Sequence, residues 1–253
     1  MTIEVSQLTD YLDDLLKARQ IRDFCPNGLQ VSGKGTIKRI MTGVTASQAL
    51  VDQAVAANVD ALLVHHGYFW KNESPAIVGM KKRRIKALLD ADINLIAYHL
   101  PLDAHPELGN NAQLAKLMNW TIDGTADPND PGSVLMLGRV EQPCSSDALA
   151  DALAERLNRS LTCYVPCQQP INRIAWCTGG GQGFIDQAAA LGVDGFITGE
   201  VSEQTVHSAR EQGIAFFAAG HHATERYGAK ALGEHLAHQF NLDVDFVDID
   251  NPA

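Results

Sequence analysis

The chain has 253 residues, enough for one large domain or two modest ones with ample core in either case. Hydrophobic residues make up 45% and charged residues 20%, an ordinary balance for a soluble globular protein. A formal net charge of −10 argues against general affinity for nucleic acid or an anionic membrane surface, because both need a cationic face.

In chain order, the first residues, Met1-Thr2-Ile3-Glu4-Val5, lack the basic-then-apolar pattern of a signal peptide. An amphipathic helix is predicted over 6–18, a strand at 37–44 and a helix at 47–57. A strand at 61–64, a helix at 81–90, a strand at 93–98 and a helix at 110–118 follow. Residues 123–132 (Asp-Gly-Thr-Ala-Asp-Pro-Asn-Asp-Pro-Gly) are the richest turn composition in the chain and mark a domain boundary. The second half has strands at 133–140, 161–165, 171–177, 195–198 and 244–249, with a further strand ending at Ala219. Helices fall between them at 145–157, 184–191, 202–211 and 221–238. This rhythm predicts an α/β protein with largely parallel sheets and covering helices. No run approaches the ~18 apolar residues of a membrane span. Five scattered cysteines (Cys25, Cys144, Cys163, Cys167, Cys177) suit a reducing compartment, so a cytoplasmic protein is expected. Cys163 and Cys167 read as structural, since a zinc motif there lacks a fourth ligand.

Potential metal ligands cluster at the ends of three apolar runs. Ala61-Leu62-Leu63-Val64 leads into His65-His66-Gly67, and residues 93–98 lead into His99-Leu100-Pro101-Leu102-Asp103. Residues 214–219 lead into Gly220-His221, with Glu225 one helical turn on. Buried parallel strands read as unbroken apolar runs, and open α/β sheets bind ligands at their carboxyl ends. His65 and His66 would face opposite ways on a regular strand, but at a strand end they can converge on one ion or address two. His221 and Glu225 share a helix face; alone they could be a surface pair worth ~0.2–0.5 kcal/mol. Asp103, after Pro101, is expected in an exposed loop. Five donors with two carboxylates exceed the three protein ligands of a catalytic zinc, which favours two ions. Imidazole and carboxylate together suit zinc, iron, manganese or nickel without choosing among them.

Three other features have plainer readings. Thr178-Gly179-Gly180-Gly181-Gln182-Gly183 sits between a strand and a helix and is either an anion-binding nest or a tight turn. It is neither a P-loop nor a dinucleotide fingerprint. Lys81-Lys82-Arg83-Arg84 reads as a solvated helix face. His99 and His105 flank the Asp103 loop and could carry protons or hydrogen-bond to the ligands from behind, whereas His207 reads as structural.

Five segments together resemble the Nif-three-like family, also called GTP cyclohydrolase 1 type 2 homologs, in its short bacterial form. They are residues 23–31 (Asp-Phe-Cys-Pro-Asn-Gly-Leu-Gln-Val), Val64-His65-His66-Gly67, Tyr98-His99-Leu100-Pro101-Leu102-Asp103, Ile197-Thr198-Gly199-Glu200 and Gly220-His221-His222-Ala223-Thr224-Glu225. The resemblance implies metal ligation by His65, His66, Asp103, His221 and Glu225, with His222 a neighbour. It also implies two interlinked α/β domains with a dinuclear metal site near their junction, and a homohexamer. The domains are placed at 1–125 plus 222–253, carrying most of the ligands, and at 126–221.

The expected cofactors are two divalent metal ions per chain, and the expected function is hydrolysis of a nucleotide or similar small phosphorylated compound. Water acidified by the ions to a pKa near ~7 would attack carbon or phosphorus. Asp103 or Glu225 would bridge the ions and His99 would move the proton. The alternative is a non-enzymatic metal-binding protein: a regulator, a metal-handling factor or a scaffold. Solvent access separates the two, since catalytic sites keep an open position and structural sites are closed.

Overall fold

The structure is a computed structural model describing residues 1–253. Met1–Gly109 with Gly228–Asp250 form one compact unit, and Asn110–Tyr227 with Asn251–Ala253 form the second.

The first unit contains β1 (Ile3–Glu4), α1 (Val5–Leu15), β2 (Gly28–Val31), β3 (Thr36–Ile37), β4 (Arg39–Thr45), α2 (Gln48–Ala56) and β5 (Ala61–His66). It continues through α3 (Gly79–Asp90), β6 (Asn94–Ala97) and α4 (Leu100–Ala104). The second holds α5 (Asn110–Leu117), β7 (Thr121–Thr125), β8 (Met136–Cys144), α6 (Ser146–Leu157), β9 (Cys163–Val165) and β10 (Ile171–Cys177). Next come α7 (Ile185–Ala190), β11 (Gly195–Thr198), α8 (Glu203–Gln212) and β12 (Ala215–Ala218). Helix α9 (His221–Phe240) opens in the second unit and ends in the first, where β13 (Asp243–Phe246) closes the fold.

The five-stranded sheet of the first unit has the order β13-β4-β5-β6-β2. Its pairs are parallel except the edge pair β2–β6. Alternation along each strand divides the apolar residues between two cores. Ile40, Ala61, Leu63 and Ile96 pack with Leu8 and Leu12 of α1 and Leu232 and Leu236 of α9. Met41, Leu62, Val64 and Leu95 pack with Leu50 and Val51 of α2 and Ile85 and Leu88 of α3. Each of the leucine, isoleucine, valine and methionine side chains contributes about 1.5–3 kcal/mol when fully buried, so both helical layers are held firmly against the sheet. Ser47 caps α2 by accepting from the Leu50 amide.

The sheet of the second unit corrects the expectation of largely parallel strands. Its order is β7-β8-β10-β11-β12-β9, and only β10–β11 and β11–β12 pair in parallel. The other pairs are antiparallel because β7 and β8 form a hairpin-like edge and β9 reverses beside β12. The expected boundary at 125/126 also differs from the division at 109/110. Thr121–Thr125 pairs with Met136–Cys144, so the turn-rich stretch joins two neighbouring strands of one sheet. Here too the strands cover both faces: Ile174, Trp176, Ile197 and Phe217 pack with Leu149 and Leu153 of α6. Ala175, Phe196 and Phe216 pack with Ile185 of α7 and Ala209 of α8. No helix is long and apolar enough to cross a membrane.

Candidate functional site

In the first unit the parallel strands β4, β5 and β6 end together, and candidate donor side chains follow their carboxyl ends. Thr45 closes β4 opposite His66 at the end of β5, and β6 runs out through Tyr98 into His99. The turn after His66 requires Gly67, because a Cβ there would lie 2.2 Å from Gln30 Oε1 and 2.7 Å from Ala97 Cβ. His65 is fully buried; its Nδ1 is 3.0 Å from the Tyr98 carbonyl oxygen. A carbonyl only accepts, so Nδ1 carries the hydrogen and Nε2 faces Asp103, 3.5 Å from Oδ1. His66 Nδ1 lies 3.1 Å from the Thr45 hydroxyl. The two adjacent rings approach to 4.5 Å between centroids although both residues count as strand, and His65, His66 and His99 bring nitrogens within 4.8 Å of one another.

Asp103 is not in an exposed loop, as the sequence suggested. It lies in α4 with 6% of its surface exposed. Pro101 fits the first turn of a helix, where no amide hydrogen is needed, and buried Leu102 anchors the turn to the core. His99, just before this helix, holds Nδ1 2.7 Å from Asp23 Oδ1. Burial alone would raise the Asp23 pKa, but hydrogen bonds and charge from His99, with bonds from Asn27 and the Phe24 amide, hold it below its ordinary value. Cys25 also comes near Asp23 and His99. Burial and the Asp23 charge push its thiol up to about 12, so it is no ready thiolate ligand.

In the second unit β12 ends in Ala218, and Gly220 turns the chain into α9. His221 and Glu225 meet across the first turn of that helix, with Nε2 3.0 Å from Oε2. Glu225 is 2% exposed, whereas the His221 side chain keeps 28%. Glu200, just beyond β11, holds His221 Nδ1 at 2.8 Å. Sequence reasoning named Glu200 within a motif and gave it no role. The available signal was the one that found the other residues: a carboxylate directly after a buried apolar strand.

In the glycine-rich segment two of the amides that an anion nest would use are already engaged within the protein. The Gly179 amide donates to Thr224 Oγ1 and the Gly181 amide to Thr198 Oγ1, both at 3.0 Å. Gly179 lets the backbone pass against the His221–Glu225 pair: a Cβ there would sit 1.8 Å from Glu225 Oε1. The basic run is only partly a solvated face. Lys82 and Arg83 are exposed, but Lys81 is buried, donating to the Ser74 carbonyl and pairing with Glu73. His207 sits in α8, and all five cysteines are free.

A family model described as Duf34/NIF3 (NGG1p interacting factor 3) matches residues 3–252. The chain belongs to the NIF3 family. This NIF3 chain is 56% identical over 253 residues to a Pseudomonas aeruginosa protein named "GTP cyclohydrolase 1 type 2 homolog", covering all of both chains. Its fold matches the solved structure of the protein ybgI with a TM-score of 0.95 at 54% identity, covering 99% of this chain and 100% of the other. A Thermus thermophilus structure gives a TM-score of 0.88 at 36% identity, again covering 99% and 100%.

Burial opposes a charged imidazole at His221 of this NIF3 chain, but the hydrogen bonds and charges of Glu225 and Glu200 outweigh it and raise the pKa from 6.5 to about 9. The metal-free ring is therefore protonated at neutral pH, whereas a metal needs it neutral. Because the folded pKa is the higher one, the stability it contributes is full below about pH 6.5 and is lost as pH rises through about 9. Metal uptake on His221 should run the other way, strengthening with pH over that window as a proton is released. Thermal melts of the stripped protein and Zn2+ titrations from pH ~6 to ~10 read the two trends. A metal affinity that stays flat across the window would count against His221 as a ligand.

Proposed function

We propose that this protein is a metal-dependent hydrolase binding two divalent ions through His65, His66, Asp103, His221 and Glu225. It would act on a nucleotide or a similar small phosphorylated compound. The observation that carries the reading is a repeated pairing: in each unit an imidazole anchored through Nδ1 turns Nε2 toward a buried carboxylate, His65 to Asp103 and His221 to Glu225. That donor set fits a divalent ion, because nitrogen and carboxylate oxygen are the ligands that zinc, iron, manganese and nickel accept. When bound, the ions would lower the pKa of water toward ~7 and polarise the electrophilic centre. His99 would hold or move a proton at Nε2, its Nδ1 being occupied by Asp23. Asp23 can serve in that role because its two oxygens also accept from the amides of Phe24 and Leu100 and from the Asn27 side chain, which fixes its orientation. The name shared by the curated relatives supports a guanine nucleotide as the first substrate to try, and an assembly of six copies is part of the same proposal.

The partial exposure of His221 favours an open, catalytic position, whereas the near-complete burial of His65 and Glu225 favours a closed, non-catalytic metal site. Glu225→Gln separates these readings. It keeps size and helix position but replaces a charged ligand with a weak neutral one. Metal content and nucleotide hydrolysis should fall together in the variant. Unchanged metal and unchanged hydrolysis would remove Glu225 from the site. Lost metal, with no turnover by the unmodified protein across a broad nucleotide panel, would favour the non-enzymatic alternative.

A further inference from the structure

We propose that Glu200 is a positioning residue for His221, and that the glycine-rich segment exists to hold this carboxylate in place. The inference rests on the reading of His221 as a metal ligand. Glu200 Oε1 lies 2.8 Å from His221 Nδ1, and its Oε2 accepts from Gln182 Nε2 at 3.0 Å. With Nδ1–H committed to a carboxylate, the neutral ring has its lone pair on Nε2, the nitrogen that faces Glu225. The three imidazoles differ in their anchors. His65 has a peptide carbonyl at Nδ1 and His66 a hydroxyl, and both anchors are uncharged. His221 alone among the three has a full negative charge there. A carboxylate behind a ligating histidine fixes its tautomer and raises its basicity, so the ion on His221 should be held by the stronger imidazole donor.

The segment after β10 is built to place Gln182. Thr198 Oγ1 donates to the Gly179 carbonyl at 3.1 Å and accepts from the Gly181 amide at 3.0 Å. The Gly199 amide also donates to the Gly179 carbonyl, at 2.8 Å. The Gly179 amide donates to Thr224, one residue before Glu225. Gly181 must lack a side chain, since a Cβ would lie 2.6 Å from the Cys177 Cβ. The Gly179 and Gly181 amides are thereby committed within the protein, and the nearby Glu200 and Glu225 carboxylates would repel an anion. What the loop presents outward is the Gln182 amide, donating to Glu200.

The test is a Co2+ titration of the metal-stripped full chain, followed by calorimetry and by the visible absorption of the bound ion. The unmodified chain is compared with Glu200→Gln, Glu200→Ala and Gln182→Ala. Glu200 is nearly half exposed, so these variants should fold, and unchanged melting temperatures check it. One of two Co2+ ions should bind about 10–100-fold more weakly to both Glu200 variants, with a shifted absorption band, while the other is unaffected. Gln182→Ala should show a smaller loss at the same ion. Equal binding of both ions by all four proteins would overturn the proposal. So would a parallel weakening of both ions with a lower melting temperature, which is what a merely structural Glu200 predicts. An unmodified chain that takes up no Co2+ would instead sink the metal reading on which the inference stands.

Discussion

Replacing Gly179 with alanine should displace the Glu225 carboxylate from His221 and lower the metal content of the chain. Gly179 has φ +65°, a conformation costing an L-residue about 1–2 kcal/mol. The larger effect is steric. The new Cβ would lie 1.8 Å from Glu225 Oε1, 2.7 Å from its Cδ and 3.1 Å from His221 Nε2. No carbon and oxygen approach so closely without a bond, so one of them must move. The backbone of Gly179 is pinned by its amide to Thr224 and its carbonyl to Thr198 and Gly199. The flexible partner is the Glu225 carboxylate, which would swing out of reach of His221. The fold should therefore survive with a loss of about 1–3 kcal/mol, while metal content falls from near two ions per chain to near one. Elemental analysis of the folded variant measures the second effect and a denaturant melt the first. Full metal occupancy in Gly179→Ala would mean that Glu225 is not a ligand in its present position.

The complementary change acts on the other pair. His65→Ala and Asp103→Ala should each lower metal content to about one ion per chain, and the double variant should do no worse than either single one if the two residues share an ion. His65 is fully buried at the end of β5, so its removal also leaves a hole beside His66 and His99. The flanking strand residues Leu62, Leu63 and Val64 keep their packing, which should preserve the sheet. Asp103→Ala removes the carboxylate facing His65 Nε2 without touching the bond between His65 Nδ1 and Tyr98. A well-folded double variant that still carries two ions would refute the assignment of both residues.

The elements most legible in the sequence are the ones whose neighbours cover them on both sides. β10 and β11 fall at the bounds expected from sequence, Ile171–Cys177 and Gly195–Thr198. The helices starting at Ser47 and Ser145 announce themselves through capping hydroxyls. Other elements exist only by pairing. β2 is four residues after Asn27 with mixed exposure; an antiparallel, bulged ladder to β6 makes it a strand. β7 is mostly exposed and would pass for linker without β8 beside it. α4 is five residues long, too short to show a helical period.

The candidate ligands divide in the same way. Sequence alone determined which donors lie at strand ends, because an unbroken apolar run followed by histidine or carboxylate is a local pattern that burial of a parallel strand produces. It also determined that His221 and Glu225 share a helix face, since that follows from the spacing of four. Tertiary structure decided what holds each donor. Tyr98 and His65 are 33 residues apart, and Glu200 and His221 are 21 apart. No local period connects such residues; they meet only because neighbouring strands end side by side. Tertiary structure likewise decided that Asp103 is buried and that Gly179 must be glycine, for both depend on atoms that chain order leaves far away.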